Sequence, residues 1–201
     1  MGGATNPTLM ANTAPLWVGL GSLVFFHERR VRAFSIGLWV AMAGVMVVLG
    51  QDLALALEFG LGSMLGLLAA VFYGAYFLVT QAGRTQLDTL SYYWISTASS
   101  ALVLLLLCLL FGEPLTGYGP ITWLCFLASG LIVQMAGWLL LNYVQGHLPA
   151  SIVSPTLLLQ PVLTAFIAIP LFGEQFTPWH ILGGIAVLSG IYMIHRSRFS
   201  T

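Results

Sequence analysis

Lysine is absent from this 201-residue chain, and only 6% of its residues are charged. A soluble domain carries roughly 25% charged residues, so no water-facing shell can be built from this composition. With six basic and six acidic side chains and formal charge zero, there is no basic patch to attract nucleic acid. The missing lysine also rules out any photoreceptor that links retinal through a lysine Schiff base. Cysteine is scarce as well: Cys108 and Cys125 both sit inside apolar runs and read as buried small hydrophobes, with neither disulfide nor metal implied. The four histidines, His27, His147, His180 and His195, lie far apart in loops or at the terminus, so no catalytic or metal constellation forms and no cofactor is called for. An enzyme is therefore not expected. No basic stretch precedes the first apolar run, so no targeting peptide is visible.

What is present is hydrophobic residues, at 59% of the chain, and a mean hydropathy of +0.95. Apolar runs of about 20 residues, each able to cross roughly 30 Å of hydrocarbon, follow one another. We expect an all-α integral membrane protein with seven spans, at about 5–26, 33–50, 61–80, 90–111, 121–142, 150–172 and 178–195. Breaks such as Gly112-Glu113-Pro114 and Gly146-His147-Leu148-Pro149 separate them. The six arginines (Arg29, Arg30, Arg32, Arg84, Arg196 and Arg198) all fall on one side of that topology. The positive-inside rule makes that side cytoplasmic, with the amino terminus outside, the carboxyl terminus inside and the chain multi-pass in an inner (plasma) membrane.

One pattern occurs twice, 146 residues apart: Pro15, Glu28, Gly37 and Gly44 return as Pro161, Glu174, Gly183 and Gly190. The positions between match in kind, Ala4 with Ala150, Phe26 with Phe172, Ile36 with Leu182 and Val45 with Ile191. Equivalent positions lie five spans apart, and an odd number inverts the second copy. Inverted repeats of this type build many secondary transporters. With a five-helix unit, residues 1–52 supply the last two helices of a first repeat and 60–197 a complete second. The first three helices of a 5+5 bundle are then expected to be missing, and the chain is expected to be a fragment.

The stretch Asn12-Thr13-Ala14-Pro15-Leu16-Trp17 followed by His27-Glu28 resembles the fourth and fifth helices of the EamA family of the drug/metabolite transporter superfamily. Leu159-Gln160-Pro161-Val162 through Phe172-Gly173-Glu174, then Gly183 and Gly190, resembles the ninth and tenth; Gly66 with Phe72-Tyr73-Gly74-Ala75-Tyr76 resembles the sixth. The resemblance implies a ten-helix bundle of two inverted halves, of which helices four to ten are present here. It also implies that helices of both halves line a substrate cavity.

Polar side chains aligned on one face of a span are candidates for a solute path. Gln134, Trp138 and Asn142 recur at i, i+4 and i+8, a stripe able to hold a small polar organic molecule by hydrogen bonds and a flat ring. Interhelical hydrogen bonding is the alternative. Tyr73, Tyr76 and Thr80 share another stripe; an interfacial aromatic belt is the competing reading there. Tyr92, Tyr93, Trp94, Trp123 and Trp179 read as belt residues. Asn6, Thr8, Asn12 and Thr13, with Ser151, Ser154 and Gln160, lie on equivalent helices, and the resemblance raises Asn12, Ser151 and Ser154. Back-bonding to a carbonyl one turn earlier is the bland reading for the hydroxyls. Pro15 and Pro161 are expected mid-helix, as kinks. The glycines of spans two and seven read as packing positions, and Glu28 and Glu174 as hydrogen-bonding residues at helix junctions.

The expected function is a secondary transporter or exporter of small organic metabolites, amino-acid-like or drug-like, working by alternating access. Its partners are the solute and the lipid bilayer, with a second copy or a protein supplying the missing helices. A seven-helix receptor or sensor, or a non-transporting remnant assembled with another membrane protein, is the competing reading.

Overall fold

The computed structural model describes residues 10–28, 32–53, 61–172 and 178–198, and among these there is no strand. Asn6, Thr8, Arg29, Arg30, Glu58 and Glu174 lie outside the described residues. The helices are α1 (Ala14–Phe25), α2 (Arg32–Leu53), α3 (Leu61–Arg84), α4 (Thr89–Phe111), α5 (Pro120–Gln145), α6 (Ala150–Thr156), α7 (Leu159–Phe172) and α8 (Pro178–Arg198). Three of them, α3, α4 and α5, are long and apolar enough to cross a membrane, and shorter apolar helices accompany them. The fold is all-helical, as expected.

Two expected spans are not continuous. Asn12 and Thr13 form a turn before α1, and Leu157 and Leu158 form one between α6 and α7. Helix resumes at once, and Pro15 and Pro161 fall in the first turn of the resumed segments. Neither is therefore a mid-helix kink. A first-turn N–H has no intrahelical acceptor, so proline loses nothing there and its fixed φ favours the helix start. Thr13 seals its turn, its N–H reaching the Met10 carbonyl at 3.1 Å and its hydroxyl the same oxygen at 2.6 Å.

The chain divides into two compact units. The first runs to Val79 and resumes at Ala150. Its core joins Phe34, Leu38, Met42 and Val45 of α2 to Val187 and Ile194 of α8, with Ile152, Leu158 and Val162 filling in. Glycine makes the α2–α8 approach this close. A β-carbon on Gly37 would stand 2.7 Å from the Gly190 carbonyl oxygen, and one on Gly44 would stand 2.7 Å from that of Gly183. Low-numbered residues of α2 meet high-numbered residues of α8, so the pair is antiparallel. The contacts also exchange under the 146-residue shift. Gly37–Gly190 becomes Gly44–Gly183, Gly44–Val187 becomes Ala41–Gly190, and Gly37–Ile194 becomes Val48–Gly183; all six contacts are present. This seam obeys a local two-fold.

The second unit is Thr80–Pro149. Asp88 caps α4, its carboxylate accepting from the Leu90 N–H at 3.0 Å and the Ser91 N–H at 3.1 Å. The far end closes on Gly112, whose φ of 69° suits glycine and whose N–H returns to the Cys108 carbonyl. In α5 the stretch Ser129–Trp138 is π-helical, with α-helical turns on either side. Along α4 and the first two-thirds of α5 almost every apolar side chain is exposed, for instance Leu110 at 77% and Ile121 at 79%. A bilayer is the medium in which such helices can be covered.

Candidate functional site

The ten residues singled out from sequence are distributed over both units, and each unit presents its own polar features. In the first, α1 packs on α6, and α1 also meets α3 where Trp17 and Val18 crowd Gly74. Asn12 precedes α1 and is half-buried. With Met10, Thr13, Met42, Val45, Met46 and Leu158 it lines a cavity of about 40 Å³, little more than the roughly 30 Å³ one water occupies in the liquid.

Ser151 and Ser154 are both buried on α6. The Ser154 hydroxyl has no hydrogen-bond partner. That sets it apart from Ser22 and Thr156, which bond back to Gly19 and Ile152 at 2.9 and 2.8 Å. A buried hydroxyl left unsatisfied costs about 1–3 kcal/mol, which makes Ser154 a position where something polar is wanted. Thr156 has a second bond, to His195 Nε2 at 3.0 Å. With the threonine proton on the Ile152 carbonyl, its hydroxyl oxygen is left to accept from a protonated His195 Nε2.

Tyr73 and Tyr76 of α3 are half-buried and turn edge-on to Phe77, with centroids 4.9 and 6.0 Å away. Phe77 itself is fully buried. The stripe expected from spacing therefore has an aromatic anchor between its two tyrosines.

In the second unit the residues of the expected stripe on α5 differ in burial: Gln134 is exposed, Trp138 half-buried and Asn142 buried. Gln134 and Trp138 lie in the π-helical turns, whose i→i+5 bonding still leaves positions four apart near one face. Gln134 is used through its main chain, its carbonyl accepting from the Tyr93 hydroxyl at 3.1 Å. Tyr93 is thus an interior hydrogen-bonding residue and not a belt residue, whereas Trp94 is exposed. The Asn142 amide donates to the Trp138 carbonyl at 2.8 Å, the back-bonding geometry of the bland reading. Tyr92 meets Thr80 at 3.0 Å.

Sequence reasoning missed the most polar feature of this unit. Arg84, counted only for its sign, ends α3 with its guanidinium in a net of neutral acceptors. Nε donates to the Asn142 carbonyl at 3.1 Å, one terminal nitrogen to the Thr89 hydroxyl at 2.7 Å and the other to the Leu87 carbonyl. It crosses Gly146 so closely that a β-carbon there would stand 3.0 Å from Cζ. Arg84, Gln81, Thr85, Gln145, His147 and the 146–149 backbone surround a cavity of about 240 Å³. Gln145 is 3% exposed, and neither its amide nitrogen nor its oxygen has a hydrogen-bond partner. A polar residue ending an apolar run was the available signal. Among the described residues no group of three His, Cys, Asp or Glu could hold a metal ion.

The sequence pattern of the EamA-like transporter family matches residues 60–196. The chain belongs to this family. It is a membrane protein of the EamA-like transporter class, and the match takes in α3 to α8 with every residue that lines the cavity of the second unit. No curated protein matches it. A solved crystal structure superposes with a TM-score of 0.77 at 19% identity, covering 95% of this chain and 66% of that one. At that identity the likeness is one of fold alone, and this chain spans 66% of the other's length.

Proposed function

We propose that this EamA-like chain is a secondary transporter of small organic solutes, amino-acid-like or drug-like, in an inner membrane. In this reading it works by alternating access, as part of a bundle of two inverted five-helix halves. The observation that carries the reading is the α2–α8 seam: contacts that exchange under the 146-residue shift are what an axis between two inverted hairpins requires. Seven spans, with the amino terminus outside and the arginines inside, are the topology that goes with it.

The solute path in this reading takes its polar groups in the first unit from Asn12, Ser151 and Ser154 around α1 and α6 and from Tyr73 and Tyr76 on α3; in the second unit, taken by itself, Trp138 and Asn142 on α5 are the candidates. Ser154 is the best supported, since its buried hydroxyl lacks a partner. Gln134, being exposed, takes a lesser part. The bilayer covers α4 and α5, and a second copy or another membrane protein adds cavity wall.

The test is counterflow in proteoliposomes loaded in turn with amino acids, nucleosides and cationic drugs. Saturable, trans-stimulated uptake of one class above protein-free vesicles is expected. Uptake no greater than in protein-free vesicles for every class would sink the reading.

A further inference from the structure

The cavity of the second unit has a composition that transport does not call for. Its lining carries one permanent cation, Arg84, and no carboxylate. The three guanidinium bonds reach neutral acceptors only, and no carboxylate among the described residues pairs with it. A guanidinium has five N–H donors, so two remain. Beside it the buried Gln145 amide offers two more donors and one acceptor, all unused. Buried polar groups are otherwise almost always satisfied. The volume of about 240 Å³ holds far more than one water.

We propose that this cavity, between the last turn of α3 and the α5–α6 connection, is a binding site for a phosphate group that carries a neighbouring hydroxyl. Arg84 supplies the charge and two donors, in the geometry that suits phosphate oxygens. The Gln145 nitrogen donates to a further oxygen. A hydroxyl on the phosphorus or on its alcohol donates to Gln145 Oε1, which an anion without a proton would leave orphaned. Four donors exceed what the two oxygens of a carboxylate need, and the three free oxygens of a phosphomonoester use them better. The group has two sources with one chemistry: a soluble phosphomonoester, or the phosphomonoester headgroup of phosphatidic acid. Arg84 is a positioned cation because its other donors are tied to Asn142 and Thr89, so it needs no rearrangement to receive the anion.

The full chain in phosphatidylcholine nanodiscs is titrated with glycerol 3-phosphate, with inorganic sulfate and with dioctanoyl phosphatidic acid. Saturable binding of glycerol 3-phosphate, weaker for sulfate, supports the site with a soluble ligand; binding of the lipid alone supports it with the headgroup as source. In either case Gln145→Leu weakens binding at least about tenfold while leaving the unfolding temperature unchanged or raised. Gln145→Glu, equal in size and repelling the anion, abolishes binding and serves if the leucine variant does not fold. No saturable binding of any probe, or binding indifferent to both variants, overturns the proposal. Because no flux is measured, its failure and that of the transport reading are told apart.

Discussion

Gly37 lies against Gly190, close enough that a β-carbon on the first would stand 2.7 Å from the carbonyl oxygen of the second. That oxygen belongs to helix backbone and cannot rotate away as a flexible side chain could. A methyl group at Gly37 must therefore part α2 from α8.

Overpacking of this kind costs about 1–3 kcal/mol, and Gly37→Ala is expected to lower stability in detergent by that amount. Gly37→Ala combined with Gly190→Ala should depart from additivity by more than about 0.5 kcal/mol, because the two touch. Gly130→Ala, where the added β-carbon meets nothing within 4 Å, should add independently. Denaturation of the three single variants and of the Gly37/Gly190 and Gly37/Gly130 doubles decides it; an additive Gly37/Gly190 pair would contradict the contact.

Tyr93→Phe removes the hydroxyl that holds the Gln134 carbonyl. A loss of about 0.5–1.5 kcal/mol is expected, with faster amide exchange over 134–139 than over 121–128. Unchanged exchange there would mean the bond does not steady the π-helical stretch.

The Asp88 carboxyl is held below the usual carboxylate range, first by the Ser91 hydroxyl and then by the Ser91 and Leu90 N–H groups. A depressed value in the folded chain means that the cap contributes fully above the ordinary carboxylate pKa. Its contribution is lost as pH falls through the lower, folded value. Protection of the Leu90 and Ser91 amides, corrected for the intrinsic pH dependence of exchange, should fall on acidification. In Asp88→Asn, which still caps but does not titrate, that fall should vanish.

Ser154→Ala deletes a hydroxyl that has no partner, so stability should hold or rise by up to about 1–3 kcal/mol. If the hydroxyl serves the solute, counterflow should fall at the same time. Thr156→Val, by contrast, breaks bonds to Ile152 and His195 and should lower stability. A Ser154→Ala chain that is both less stable and fully active would reverse the assignment.

Much of this was legible in the sequence because punctuation and small residues act locally. Gly112 and Gly119-Pro120 mark helix ends that any backbone would obey, and the repeated glycines announce a close helix pair. Pro15 and Pro161 were harder. Both sit within long, mainly apolar stretches, and mean hydropathy does not separate a kink inside a span from the first turn of a new helix. The π-helical stretch of α5 was not legible at all, since nothing in SGLIVQMAGW declares i→i+5 bonding. Arg84 was read by its sign alone, since the carbonyl that receives its Nε–H, that of Asn142, comes from a helix more than fifty positions away.

The glycine seam also sets what in this molecule can slide. Advancing α8 along α2 by one turn, about 5.4 Å, would bring Ile194 or Ala186 to the place of Gly190, opposite a backbone that leaves no room even for a β-carbon. The two-fold imposes the same blockage at Gly44 and Gly183, so both ends jam together. Whatever part of this protein moves, α2 and α8 are the fixed post it moves around.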